Sequence, residues 1–150
     1  MIDKKTLKKA VAAPLDNVGF VRKGQSWYLN GEDAIVVLNL QKSDWSEMYF
    51  MNIGIWLKAL GEAVFPKENV CHLSYRAESL FPDQRQLVLE GLSLDSSNSE
   101  TLSEIADFIK EHLIPFLKDC TYESNLRKFL QQGILERGLV RIEAREYLNG

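Results

Sequence analysis

"AIVVLNLQKSDWSEMYFMNIGIWL" (residues 34–57) reads as two strands joined by a polar turn, and the alternation of its apolar residues decides the fold. The spacing predicts strands over 34–42 and 48–57, with "SDWSE" at 43–47 as the turn. In the first strand Leu38 and Leu40 share one face, and Asn39 and Gln41 share the other. In the second, Met51, Ile53, Ile55 and Leu57 share one face, and Phe50, Asn52, Gly54 and Trp56 the other. Side chains opposed across an antiparallel pair point the same way, so the leucines must face Met51 and Ile53. That register sets Asn39 beside Asn52 and Gln41 beside Phe50. A slip of one residue would put Leu40 against an amide or a phenylalanine of the polar face.

Working outward, residues 19–29 read as a preceding strand in which Gly24 marks a bulge, with "NGED" at 30–33 as a tight turn. "GEAVFPKEN" at 61–69 is a loop. "VCHLSYRAESL" at 70–80 alternates again: Cys71, Leu73, Tyr75 and Ala77 on the apolar side, His72, Ser74, Arg76 and Glu78 on the polar side. "LVLEGL" at 87–92 is expected to be a short fifth strand. One apolar face of this sheet needs a cover, and helices supply it. Asp3 caps a first helix with Leu7, Val11 and Leu15 as its stripe, interrupted near Pro14 and ended at Gly19. Ser97 and Glu100 have capping-box spacing before a stripe of Leu102, Ile105, Ile109, Leu113 and Phe116, which Pro115 kinks or ends. Thr121 caps a helix bearing Leu126, Phe129 and Leu130, closed by Gly133, and a last helix covers 137–148. The expected fold is α+β: an antiparallel sheet of four to five strands with an N-terminal helix and C-terminal helices packed on one face, in one domain spanning 1–150.

Composition bounds the function. The chain has 150 residues, 45% hydrophobic and 26% charged, as ordinary globular proteins do. Its net charge is −3, so nucleic-acid binding is not expected. The charge is uneven: Lys4, Lys5, Lys8, Lys9, Arg22 and Lys23 stand against only Asp3 and Asp16 in the first 25 residues, a net of +4 that leaves −7 for the rest. Such a basic stretch is usually a solvated face; a nucleic-acid surface there is the weaker alternative. The acidic remainder suits a basic partner. Cys71 and Cys120 lack the spacing of a zinc site or of a disulfide framework and read as buried, reduced thiols. No apolar run approaches the ~20 residues that span a bilayer. A cytoplasmic protein without membrane contact is expected, and a homodimer through an edge strand, burying Trp27 or Trp56, stays open.

Phosphate loops, dinucleotide fingerprints, zinc-protease helices and nucleophile elbows are all absent. His72 and Glu78, six residues apart on one strand, would stand about 20 Å from each other, too far for shared acid–base work. What remains is the polar face of the sheet. Asn39, Gln41, Lys42, Trp45, Asn52, His72 and Arg76 are the candidate binding residues, because amides, an arginine fork and a tryptophan are strong recognition groups. No catalytic residue, metal ligand or cofactor is assigned.

Taken together, "GFVRKG" at 19–24, "NLQKS" at 39–43, "FMNIG" at 50–54 and the stretch from Cys71 to Arg76 resemble an uncharacterised bacterial family, domain-of-unknown-function family 4304. The resemblance covers residues 5–80 well and the helical half less. It implies no known activity or cofactor. By analogy of genomic setting, small α+β families of this kind look similar to immunity proteins of bacterial toxin systems, which implies a protein partner such as a basic toxin. The leading expectation is therefore a binding protein, not an enzyme; the alternative is a small-ligand protein or enzyme using the polar face.

Overall fold

A computed structural model describes residues 2–150. Six antiparallel strands form one sheet in chain order: β1 (Val21–Lys23), β2 (Ser26–Asn30), β3 (Ala34–Lys42), β4 (Tyr49–Leu57), β5 (Leu73–Arg76) and β6 (Leu139–Val140). The helices are α1 (Lys4–Asp16), α2 (Ala77–Leu80), α3 (Arg85–Gly91), α4 (Ser99–Phe108), α5 (Ile114–Asp119), α6 (Glu123–Gln131) and α7 (Ile142–Asn149). None is long and apolar enough to cross a membrane.

The β3–β4 register is the one the alternation requires: Leu38 opposite Ile53, Asn39 opposite Asn52, Leu40 opposite Met51 and Gln41 opposite Phe50. Leu38, Leu40, Met51, Ile53, Ile55 and Leu57 are all buried in the main core, with Leu73 and Tyr75 from β5 and Leu7, Val11 and Leu15 from α1. Asp3 caps α1 as expected, accepting a bond from the Thr6 N–H at 2.7 Å.

The sheet exceeds four to five strands for two reasons. Residues 19–29 are not one bulged strand. Gly24 has φ +61° and opens a two-residue turn between Lys23 and Ser26, so the segment folds back as the β1–β2 hairpin. The second reason is β6, which falls inside the stretch expected to be the start of the last helix; α7 begins only at Ile142. "LVLEGL" is not a strand: it lies in α3 and its C-cap, burying Val88 and Leu92 against the core. A short apolar run has no period of its own to separate helix from strand. The strand expected over 70–80 shrinks to β5, and Glu78 belongs to α2 rather than to the polar face.

Capping also shifts. Asn98, not Ser97, is the N-cap of α4, in a reciprocal box with Thr101. Pro115 does not end the helix: Ile109–Leu113 form a wide π turn in which the Ile114 N–H bonds the Ile109 carbonyl, and the helix runs on as α5. Thr121 does not cap α6. Its N-terminal amide at Glu123 donates to the Asp33 carboxylate at 2.9 Å, so the "NGED" turn docks the C-terminal helices onto the sheet. Trp27 is fully buried in the main core, its indole N–H donating to Asp16 at 2.8 Å, and Trp56 packs on an outer cluster. Neither lies free at a sheet edge.

Candidate functional site

The outer face of the sheet, away from the main core, is divided in two. At the end near Leu57 it is covered. Ile35 and Val37 of β3 are buried there with Tyr28 and Cys71, and Trp56 packs against them. The cover is the β4–β5 connection, 58–72. Gly54 makes its close approach feasible, since a Cβ at that position would stand 2.8 Å from both the Cys71 Sγ and the Glu68 Cα. Burial pushes the Cys71 thiol up to about 12, with Glu68 adding to the rise and Arg141 opposing it. Cys71 is thus the buried underside of this cover, packed in the outer cluster and not in the main core as strand alternation predicts.

His72 belongs to this covered end. Its ring tilts against Trp56 at 4.4 Å, and its Nδ1 accepts the Leu57 N–H at 2.9 Å. Burial lowers its pKa below the ordinary histidine value, opposed by nearby Glu143 and reinforced by Arg141. The structure removes His72 from the candidate site: it is a buried, backbone-holding group about four residues along the sheet from the amides, some 13 Å at strand spacing.

The other end is open, and here four of the predicted residues meet: Asn39, Gln41, Asn52 and Arg76. The Asn52 side-chain N–H group donates to the Gln41 Oε1 at 2.8 Å and reaches the Asn39 Oδ1 at 3.4 Å. Asn39 in turn donates to the Ser26 Oγ at 2.9 Å. Three adjacent strands thus carry one chain of polar side chains, which fixes the amides in place. Arg76 pairs in register with Asn52 and lays its guanidinium over Phe50, 3.8 Å from the ring centroid. Among the described residues it has no ion-pair partner, so a stacked, charged fork is left facing solvent.

Gln41, Asn52 and Arg76 border an open hollow of about 500 Å³, which also takes in Ser74, Glu68 and Arg137. Arg137 is anchored by donating to the Leu80 carbonyl at 2.9 Å, and Ser74 by donating to the Glu68 carbonyl at 2.9 Å. Sequence reasoning places Phe50 beside Gln41 but does not assign it a role. Its position on the polar face, one diagonal step from Arg76, is the signal that would have found it. Arg137 carries no such signal, because the helices between β5 and β6 bring it to the site.

Lys42 is not a free recognition group. Its ammonium donates to the Ser46 carbonyl at 2.6 Å and the Ser43 carbonyl at 3.2 Å, closing the 43–48 turn on itself. That turn holds out Trp45, which is 95% exposed, with Asp44 and Glu47 beside it and also exposed. The turn joins the strand ends at Lys42 and Tyr49, next to Gln41 and Phe50, so Trp45 flanks the open end.

No curated protein and no solved structure matches this chain. A family model does, over residues 11–119, and it extends past the strands through α4 and α5. That match takes in Asn39, Gln41, Phe50, Asn52 and Arg76, and it covers well over half of the chain: the protein belongs to the family described as a domain of unknown function, DUF4304.

Proposed function

We propose that this is a non-enzymatic, cytoplasmic binding protein that receives a partner protein on the open end of its sheet. The observation that carries the reading is Arg76, stacked on Phe50 and, among the described residues, without an ion-pair partner, beside the clamped amides of Gln41 and Asn52. Arginine and tryptophan are the residue types that dominate binding energy at protein interfaces, and exposed Trp45 supplies the second anchor. The amide chain is already ordered, so little side-chain freedom is lost on docking. In the immunity-like form of this proposal the partner is a basic toxin. Asp44 and Glu47 around Trp45, and the −7 borne outside the first 25 residues, support a basic partner.

The test is capture from the cells the protein comes from, with wild type and a Trp45→Ala/Arg76→Ala variant compared side by side. A protein held by the wild type should be retained at least about tenfold less by the variant, as loss of two interface anchors implies. Equal retention by both, or no captured protein, overturns the proposal. The second reading, a small-molecule site, is favoured by the hollow's volume of about 500 Å³, within the range of ligand pockets. Under that reading Arg76→Ala weakens binding and Trp45→Ala does not.

A further inference from the structure

The opposite layer of the molecule carries a second feature, independent of the sheet's open end. Lys4, Lys5, Lys8 and Lys9 of α1 line a groove of about 720 Å³ that reaches Arg22 of β1, with Ala12 and Ala13 along its length. Its one acid, Asp16, is already engaged by the Trp27 indole at 2.8 Å and by Arg22 at 3.6 Å. Among the described residues none of the four lysines forms an ion pair.

This arrangement opposes the stability of the helix that bears it. No acidic residue occupies the first turn of α1, where the helix dipole favours anions and disfavours cations. Lys4 with Lys8 and Lys5 with Lys9 are like-charge neighbours one turn apart, which also destabilises a helix. Packing does not require them: Leu7, Val11 and Leu15 supply the buried stripe. Of the nearby acids, Asp3 is taken up as the N-cap and Asp16 by Trp27 and Arg22, and among the described residues neither forms an ion pair with these lysines. An arrangement that is unfavourable alone becomes favourable when an anion fills the groove.

We propose that the groove between α1 and β1 docks a short acidic peptide segment of a partner protein. Lysines are point donors on flexible stems and adapt to carboxylates along an extended chain. From Lys4 to Ala13 the helix rises about 14 Å, the length of four or five extended residues. A long nucleic acid fits less well. The groove offers no exposed aromatic ring for a base to stack on, and the −7 of the rest of the chain repels an extended polyanion.

The experiment is fluorescence anisotropy of a dye-labelled hexaglutamate peptide with the full chain at about 20 mM salt, where surface charges are weakly screened. Saturable binding is expected, weakened about tenfold or more by Lys4→Gln/Lys5→Gln/Lys8→Gln/Lys9→Gln and unchanged by Lys67→Gln/Lys128→Gln, exposed lysines of the 58–72 connection and of α6. The fourfold variant should melt no lower than wild type, which separates lost binding from lost folding. No saturable binding, or equal binding by the fourfold variant, overturns the proposal. So does displacement of the peptide by a short DNA duplex at lower concentration than by unlabelled hexaglutamate, which would assign the groove to nucleic acid.

Discussion

The two ends of the sheet's outer face are built from the same strands and have opposite fates. On β3, Ile35 and Val37 sit in a buried cluster, while Asn39 and Gln41, continuing the same row, reach water. On β4, Trp56 and Gly54 accept the cover formed by 58–72, whereas Asn52 and Phe50 meet an arginine and open space. The change falls between Val37 and Asn39, where apolar residues give way to amides. A connection that crosses one half of a sheet face must find apolar partners there, and the half it leaves bare must satisfy its polar groups within the face. Asn52 does this by bonding Gln41 and Asn39. The contrast makes one end a packed structural element and leaves the other end open to solvent.

The sharpest way to break this contrast is to truncate one residue at each end. Ile35→Ala should cost about 2–4 kcal/mol, because it empties a site enclosed between the sheet and its cover. Gln41→Ala, on the same face six residues along, should cost about 1 kcal/mol or less, because it opens no cavity and removes one of the two acceptors of Asn52. Urea unfolding of the two variants measures the difference. Equal losses would mean that the outer face is uniformly packed or uniformly solvated.

The contrast was half legible in the sequence. Alternation in 34–57 determines the register, the core face and the neighbourhood of Asn39, Gln41 and Asn52, because a period of two admits only one burial solution. It does not tell which part of the second face is covered, since Ile35 and Val37 are compatible with either state and the cover is an irregular loop. His72 shows the limit: parity sets it on the outer face correctly, but parity carries no information on a loop folding over it. The split of residues 19–29 into a hairpin turned on one glycine, and β6 turned on a two-residue pairing at a sheet edge. Both are too short for any pattern to mark. Arg137 reached the site through tertiary packing of distant helices, which no local spacing encodes.

A smaller effect tests the covered end through protons. Burial holds the His72 pKa below its ordinary value near 6.5, and its Nδ1 accepts the Leu57 N–H only when that nitrogen is unprotonated. The unfolded chain then binds a proton more readily than the folded one. The stabilising contribution is complete above the unfolded pKa and is lost progressively as the pH falls below it. Urea midpoints measured from pH 7.5 to 5.5 should fall in the wild type, and the fall should be shallower in His72→Gln. Parallel profiles would show that His72 titrates as freely folded as unfolded, and so that the cover does not exclude water.

The smallest expected effect concerns the open end, and it separates a residue that builds the surface from the one the proposed recognition would use. Asn52 is buried and gives its amide hydrogens to two acceptors, so Asn52→Ala should lose about 1 kcal/mol and loosen Gln41. Arg76 is exposed, and its stacking on Phe50 is worth about 0.5 kcal/mol at such a site, so Arg76→Ala should barely change stability. Partner retention should run the other way, with Arg76→Ala reducing it more than its effect on folding explains. If Arg76→Ala instead destabilises as much as Asn52→Ala, the guanidinium is a structural brace across β4 and β5. The open end would then be a solvated edge of the fold, and the recognition role would have to rest on Trp45 alone.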